Sequence, residues 1–180
     1  MSSSFSRAKR LPGGVRSAQT LGLTNDSMAS LEVKIPPPVV AFLVALAMWA
    51  VSLVAPALQL PTLVRVFAAI GVALVGGGFS LAGAIAFRRA RTTVNPMKPQ
   101  AASSLVSSGI YKVTRNPMYV GWLLVLIGWA TFLSSPWAVL GPVAFVFYIG
   151  RFQIAPEERA LAALFGTEYA AYKSRVRRWL

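Results

Sequence analysis

Three long runs without a charged residue dominate the sequence, at residues 39–58, 66–87 and 118–150. Each of the first two is long enough to cross roughly 30 Å of hydrocarbon as a helix that rises about 1.5 Å per residue. These two runs therefore predict transmembrane helices.

The third run contains a break. Ser134, Ser135 and Pro136 divide it into two arms, each somewhat short of a full crossing. The predicted spans are about 118–133 and 136–152, and the second extends two residues past the uncharged run. This pattern predicts a tight helical hairpin, either as two short spans or as a deep re-entrant pair. The chain is therefore predicted to be an all-α polytopic integral membrane protein with about four transmembrane helices.

The composition agrees with a membrane protein and limits the possible chemistry. Hydrophobic residues make up 56% of the chain and charged residues only 13%, which is too apolar for an ordinary soluble domain. The net charge of +13 is spread between neutral runs, so we expect anionic lipid headgroups as partners and no nucleic acid. The chain has no cysteine and no histidine, which excludes thiol and imidazole chemistry and the usual zinc sites.

The distribution of basic residues predicts the orientation in the membrane. Of the 18 lysines and arginines, only Arg65 falls on the far side of a four-span arrangement in which both termini are cytoplasmic. Within the second span, Gly76, Ser80 and Ala84 lie four residues apart and predict close approach of another helix.

The remaining segments divide the chain into a tail and one domain. Residues 1–35 are rich in serine, glycine and basic residues, so we expect a disordered tail; they lack the apolar core of a signal peptide, and Met28 offers an alternative start. Residues 36–180 are predicted to form a single membrane domain. Its basic connection, residues 88–117, is long for a simple loop, and long unpatterned loops are often functional.

Residues 156–180 are predicted to form helices at the cytoplasmic membrane surface. Pro156, Glu157 and Glu158 suit the first turn of a helix, Gly166 suits its end, and Thr167 suits the start of a second helix. The two glutamates have two interpretations, either as a pair that complements the helix dipole or as carboxylates that act in chemistry.

Five motifs appear in a fixed order: TTVNP at 92–96, LVSSGIY at 105–111, RNPMYVG at 115–121, EERALAALFGTEYAAY at 157–172 and VRRW at 176–179. This order resembles the isoprenylcysteine carboxyl methyltransferase family. That family is grouped with the phospholipid N-methyltransferases among integral membrane enzymes that use S-adenosylmethionine. The resemblance covers the second half of the chain.

The resemblance implies a cofactor site between the basic connection and the C-terminal helices. Arg115 and Asn116 suit the carboxylate of S-adenosylmethionine, and Glu157 or Glu158 suits its ammonium. Tyrosine faces suit the sulfonium. The expected cofactor-binding residues are Tyr111, Val113, Arg115, Asn116, Pro117, Tyr119, Glu157 and Glu158.

The implied reaction is methyl transfer to a lipophilic acceptor at the cytoplasmic face, above all to the carboxylate of an isoprenylcysteine-like or other prenyl or lipid substrate. Arg151 is either the residue that holds this carboxylate or an interfacial anchor. If the acceptor is an amine or a hydroxyl, Glu157 or Glu158 must take the proton. Family members often have histidine at the position of Asn116, and an amide cannot titrate.

Three other functions remain open at this point. A sterol-reductase-like membrane enzyme would bind NADPH through the basic connection. A phospholipid N-methyltransferase would use the same cofactor with a different acceptor. A non-enzymatic membrane adapter would bind no nucleotide-sized ligand.

Overall fold

The computed structural model describes residues 35–90 and 104–180, and all regular structure within these residues is helical. The predicted tail, except Ile35, and residues 91–103 of the basic connection lie outside them. The helices are α1 (Pro37–Ser52), α2 (Thr62–Arg89), α3 (Pro117–Leu133), α4 (Leu140–Ile149) and α5 (Ala155–Arg175).

The helical hairpin predicted from the third apolar run is present. Ser134 ends α3 in the left-handed conformation, with φ of 54°, and a 3₁₀ turn at Pro136–Val139 leads into α4. Leu58 pairs with this turn, because its N–H donates to the Ser134 carbonyl (2.6 Å) and its carbonyl accepts from the Ser134 hydroxyl (3.2 Å). The predicted first span, 39–58, is therefore too long at its C-terminal end: α1 stops at Ser52, and the following residues run toward the hairpin turn.

Glycines allow α2 and α3 to pack at very short distance. A Cβ atom added to Gly76 would lie 2.6 Å from the Gly121 carbonyl oxygen, and one added to Gly128 would lie 2.8 Å from the carbonyl oxygen of Ala69. Ser80 also lies at this contact, and its hydroxyl donates to the carbonyl of Met118 at 3.4 Å. Small residues at Gly76 and Ser80 thus have the packing role predicted from their spacing.

The hairpin continues into the C-terminal helix without a loop. A π-helical turn at Gly150–Ile154 joins α4 to α5, with Pro156 in the first turn of α5. Gly166 adopts φ of 45° and ψ of −118° and bends α5 into two halves. The break predicted at Gly166 is confirmed, because only glycine adopts such a backbone conformation at low cost.

Length and apolar composition make two helical stretches, Thr62–Arg89 and Pro136–Arg175, candidates to cross a membrane, whereas α1 and α3 are shorter apolar helices. Large apolar side chains on α1 and α2 are exposed, among them Phe42 (67%), Phe67 (69%) and Leu74 (71%). A water-soluble protein rarely exposes so much contiguous apolar surface. These features are those of a membrane-integrated protein.

Candidate functional site

Two regions about 40 residues apart in the sequence meet at the N-terminal ends of α3 and α5. The Tyr119 hydroxyl donates to Oε1 of Glu157 at 2.5 Å, and Nη2 of Arg115 donates to Oε1 of Glu158 at 2.9 Å. The RNPMYVG motif and the first turn of α5 therefore form one polar junction beside the apolar helices.

Glu158 lies in a basic environment. The guanidinium of Arg178 donates two hydrogen bonds to the Glu158 carboxylate, from Nε to Oε1 at 3.1 Å and from Nη2 to Oε2 at 2.6 Å. Lys173 Nζ lies 4.0 Å from Oε2. The side chains of Arg115 and Glu158 are only 8% and 11% exposed, so their pair is shielded from water, and the bond to Glu158 also raises the pKa of Arg178.

Glu157 lies in a different environment. Burial raises the pKa of its carboxyl to about 7, the hydrogen bond from Tyr119 opposes this shift, and the nearby Glu158 carboxylate adds to it. The charged form of Glu157 is therefore costly unless a cation comes close. This carboxyl is suited to pair with a ligand ammonium.

The C-terminal segment after α5 completes the junction. The Arg115 N–H donates to the Arg177 carbonyl at 3.0 Å, and the Asn116 side-chain amide donates to the Arg178 carbonyl at 2.9 Å. The Thr114 hydroxyl, which is fully buried, also donates to the Arg178 carbonyl at 3.3 Å. These bonds hold the start of α3 against the end of the described chain.

Aromatic residues cover one side of the junction. Tyr111 is buried in a 3₁₀ turn at Gly109–Lys112, its ring meets Phe87 edge-on at 5.4 Å, and its carbonyl accepts from the Tyr172 hydroxyl at 2.8 Å. Burial raises the pKa of Tyr111, so this phenol stays neutral. The buried core here also contains Val106 and Tyr169.

The predicted site residues differ in how far their side chains are buried. Pro117 is buried at the first turn of α3, whereas Val113 is 55% exposed. Arg151 is exposed in the π-helical turn, with its guanidinium carbon 5.5 Å from the centroid of the Phe152 ring. Contact of Val113 and Arg151 with a ligand stays a prediction.

One buried N–H donor of the Arg115 side chain is unpaired among the described residues. Its Nη1 donates to the Lys173 carbonyl at 3.4 Å and its Nη2 to Glu158, but its buried Nε has no hydrogen-bond partner within residues 35–90 and 104–180. Buried donors of this kind are rare in native proteins. An anionic ligand group at the junction would satisfy it.

Sequence reasoning missed Thr114, Tyr172 and Arg178 as members of the site. Arg178 belongs to the VRRW motif and Tyr172 ends the preceding one, so the motif order contained a signal for both. No local pattern distinguishes Thr114, because its role depends on a backbone carbonyl 64 residues away.

An apolar groove of about 720 Å³ lies between α1, α2 and α3. Its lining runs from Pro38 on α1 and Trp122 on α3 toward Trp129 and Phe132. On α3, Trp122 to Phe132 spans about 15 Å at 1.5 Å per residue. Tyr119, which donates to Glu157, lies about one turn before Trp122 on α3.

Comparison with known proteins adds a family to this geometry. The sequence model of the phospholipid methyltransferase family matches residues 64–168, which is more than half of the chain and includes the start of α3 and both glutamates. The chain belongs to the phospholipid methyltransferase family. Several relatives of this chain are isoprenylcysteine O-methyltransferases. This finding agrees with the resemblance carried by the five motifs.

Three relatives of this family member define the extent of the similarity. An uncharacterized protein of Haemophilus influenzae is 48% identical over 63 residues, which are 35% of this chain and all of the relative. The human protein-S-isoprenylcysteine O-methyltransferase is 38% identical over 73 residues, 41% of this chain and 26% of the relative. Protein-S-isoprenylcysteine O-methyltransferase B of Arabidopsis thaliana is 31% identical over 91 residues, 49% of this chain and 45% of the relative.

The match thus spans less than half the length of these two named methyltransferases. No solved structure is significantly similar to the chain.

Proposed function

We propose that this protein is an S-adenosylmethionine-dependent methyltransferase that acts on a lipophilic acceptor at the cytoplasmic face of a membrane. The acceptor group is the carboxylate of an isoprenylcysteine-like or other prenyl or lipid substrate. The observation that carries the proposal is the junction of Arg115 and Tyr119 with Glu157 and Glu158, in a member of a methyltransferase family.

The residues at the junction fit the charged groups of the cofactor. The free Nε of Arg115 suits the carboxylate, with backbone N–H groups at the start of α3 nearby. Of the two glutamates that the sequence left open, Glu157 suits the ammonium, because Glu158 already binds two arginines. The tyrosines and Phe87 suit the adenosine and the sulfonium.

The cofactor would supply a methyl group on a cationic sulfur. The protein's part is to align the acceptor with that methyl group and to keep water out, since charges neutralise each other in such a displacement. A carboxylate acceptor is already ionised near pH 7 and requires no base. Arg151 is proposed to hold that carboxylate.

The apolar groove is proposed to hold the tail of the acceptor, because it ends one turn from Tyr119 and carries only apolar lining over about 15 Å. We further propose four membrane crossings, with both termini and the junction on the cytoplasmic side. All basic residues but Arg65 then face the anionic leaflet.

Phospholipid N-methylation is the second candidate, and one observation favours it. The family whose sequence model matches the chain is described as phospholipid methyltransferase. The same cofactor site serves both reactions, so the acceptor alone distinguishes them.

Two measurements test the proposal. Calorimetry on detergent-solubilised protein should detect S-adenosylhomocysteine binding and no NADPH binding. The reverse result would favour a reductase. If neither ligand binds, the result would favour an adapter. Labelled S-adenosylmethionine, supplied with prenylated thioacids, small lipophilic acids and phosphatidylethanolamine, should then label a prenylated or lipophilic acid. Label in phosphatidylethanolamine alone would establish the second candidate instead.

A further inference from the structure

The end of the helical bundle that contains the hairpin turn carries unpaired polar groups. Within residues 35–90 and 104–180, four buried side-chain N or O atoms have no hydrogen-bond partner, and Nε of Arg65 and Oγ of Ser135 are two of them. Ser135 is only 4% exposed, and Arg65 is partly buried. Native proteins rarely leave buried polar atoms unpaired, so a ligand with acceptor atoms is expected here.

The packing of α2 against α3 places both groups at the same level. A Cβ atom added to Gly128 would lie 2.8 Å from the carbonyl oxygen of Ala69 and 3.5 Å from the N atom of Ala73. The two helices run antiparallel, so about six residues further along each of them, or about 9 Å, Arg65 is level with the serines that end α3.

This level lies about one hydrocarbon thickness from the polar junction. A Cβ atom added to Gly83 would lie 3.1 Å from Cγ of Pro117, so Gly83 marks the level of the junction on α2. Arg65 precedes Gly83 by 18 residues of one continuous helix, which corresponds to about 27 Å at 1.5 Å per residue. A bilayer core is about 30 Å thick, so Arg65 lies near the headgroups of the leaflet opposite the junction.

The surroundings of Arg65 favour an anion. The three acidic residues within the described ranges all lie on α5, so none of them offers a counter-charge at the hairpin end. The first N–H groups of α2, which begins after Pro61 without a side-chain cap, face the same end. A guanidinium beside hydrocarbon is costly without a counter-charge, and a phosphate matches its fork of donors in charge and geometry.

We propose that the hairpin end of the bundle binds the phosphate of a phospholipid from the leaflet opposite the junction, with Arg65 as the paired cation. A phosphate at this level offers acceptor oxygens to both unpaired groups. In the alternative, Arg65 only extends its charged end into the water layer, which leaves its buried Nε unpaired. The bound lipid is distinct from the lipophilic acceptor, and the inference does not depend on methyl transfer.

Binding of phosphatidylglycerol to the full chain in detergent tests the proposal. Diacylglycerol with the same acyl chains is the matched lipid without a phosphate. Native mass spectrometry counts the retained lipids, and versions brominated in the acyl chains locate them by quenching Trp137, which is 57% exposed in the hairpin turn. Trp137→Phe identifies the share of the signal that comes from Trp137. The wild-type protein should bind phosphatidylglycerol about 10-fold more tightly than diacylglycerol.

Arg65→Gln should weaken the binding of phosphatidylglycerol at the hairpin end about 10-fold. Arg65→Lys keeps the charge without the fork of donors, so its loss of affinity should be smaller. Arg89→Gln is the matched control, because Arg89 is an exposed arginine at the other end of α2, and it should leave the quenching of Trp137 unchanged. Far-UV circular dichroism verifies that each variant keeps its helices.

Three results would overturn the proposal. The first is equal affinity of the wild-type protein for the two lipids, which requires no variant, so a variant that fails to fold does not protect the proposal. The second is quenching of Trp137 by brominated phosphatidylglycerol that remains the same in a folded Arg65→Gln variant. The third is displacement of the lipid by millimolar inorganic phosphate, which would assign the site to a free anion instead of a lipid.

Discussion

Glu157 and Glu158 are neighbours in the first turn of α5, yet their surroundings are opposite. Glu158 binds the guanidinium groups of Arg115 and Arg178 and so has its charge compensated within the protein. Glu157 is buried against Tyr119, with a pKa raised to about 7. Glu158 therefore stabilises the junction through its ion pairs. The buried carboxyl of Glu157 would be stabilised in its charged form by a nearby cation.

This difference shows that partners, not sequence position, determine what a carboxylate does. Both residues lie in the first turn of α5, which continues from α4 through the π-helical turn, so a free helix N-terminus distinguishes neither of them. The elements that face them differ, since Arg178 lies beyond the end of α5 and Tyr119 lies on α3. Four changes test the division of labour between the two glutamates.

Glu158→Gln should have the largest effect, on stability. It leaves the shielded guanidinium of Arg115 without its counter-charge, which costs about 3 kcal/mol and lowers Tm by roughly 6 to 12 °C in a chain of this size. Thermal unfolding in detergent measures it, with Glu168→Gln, at an exposed position, as the matched control. A shift no larger than that of the control would mean that the ion pairs add nothing to the fold.

Glu157→Gln should leave Tm nearly unchanged and weaken the binding of S-adenosylhomocysteine. Glutamine still accepts from Tyr119 and needs no charge in a buried place, but it offers no charge to the ligand ammonium, a loss of about 2 kcal/mol. Calorimetric titration of the wild-type protein and of Glu157→Gln with S-adenosylhomocysteine measures this loss of affinity. Equal affinity in wild-type and variant protein would remove Glu157 from the cofactor site.

The affinity for S-adenosylhomocysteine should also depend on pH. Glu157 must be ionised to pair with the ammonium, so affinity rises with pH through about 7 and levels off above it; between pH 6 and pH 8 the gain is about 10-fold. Titrations at several pH values, with Glu157→Gln as the reference, measure this gain. If the affinity of Glu157→Gln rose equally steeply with pH, a group other than Glu157 would be responsible for the pH dependence.

Arg178→Lys should have the smallest effect. Lysine keeps the charge and loses the two-pronged contact with Glu158, and the arginine side chain is 41% exposed, so the expected cost is about 0.5 to 1 kcal/mol. Arg177→Lys is the control, because Arg177 contributes its backbone carbonyl to the junction. Thermal unfolding of the two variants side by side decides whether the fork geometry matters.

Much of the fold was predictable because breaks in apolar runs have local causes. Ser134 and Pro136 indicated the hairpin turn, Pro156 the start of α5 and Gly166 its bend, and each acts through its own backbone chemistry. The end of α1 was not predictable from hydropathy, since residues after Ser52 are equally apolar and leave the helix to meet Ser134.

The site was predictable as a set of residues and not as a set of pairs. Motif order brought Arg115, Tyr119 and the two glutamates together, but it left open which glutamate faces which partner. The π-helical turn at Gly150–Ile154 changes the rotation of α5 relative to α4, and no local sequence signal reveals it.

The bonds from residues 114–116 to the carbonyls of Arg177 and Arg178 have a practical consequence for handling the protein. Cleavage of the chain between Val176 and Arg177 would separate these acceptors and Arg178 from α5 and expose the junction to water.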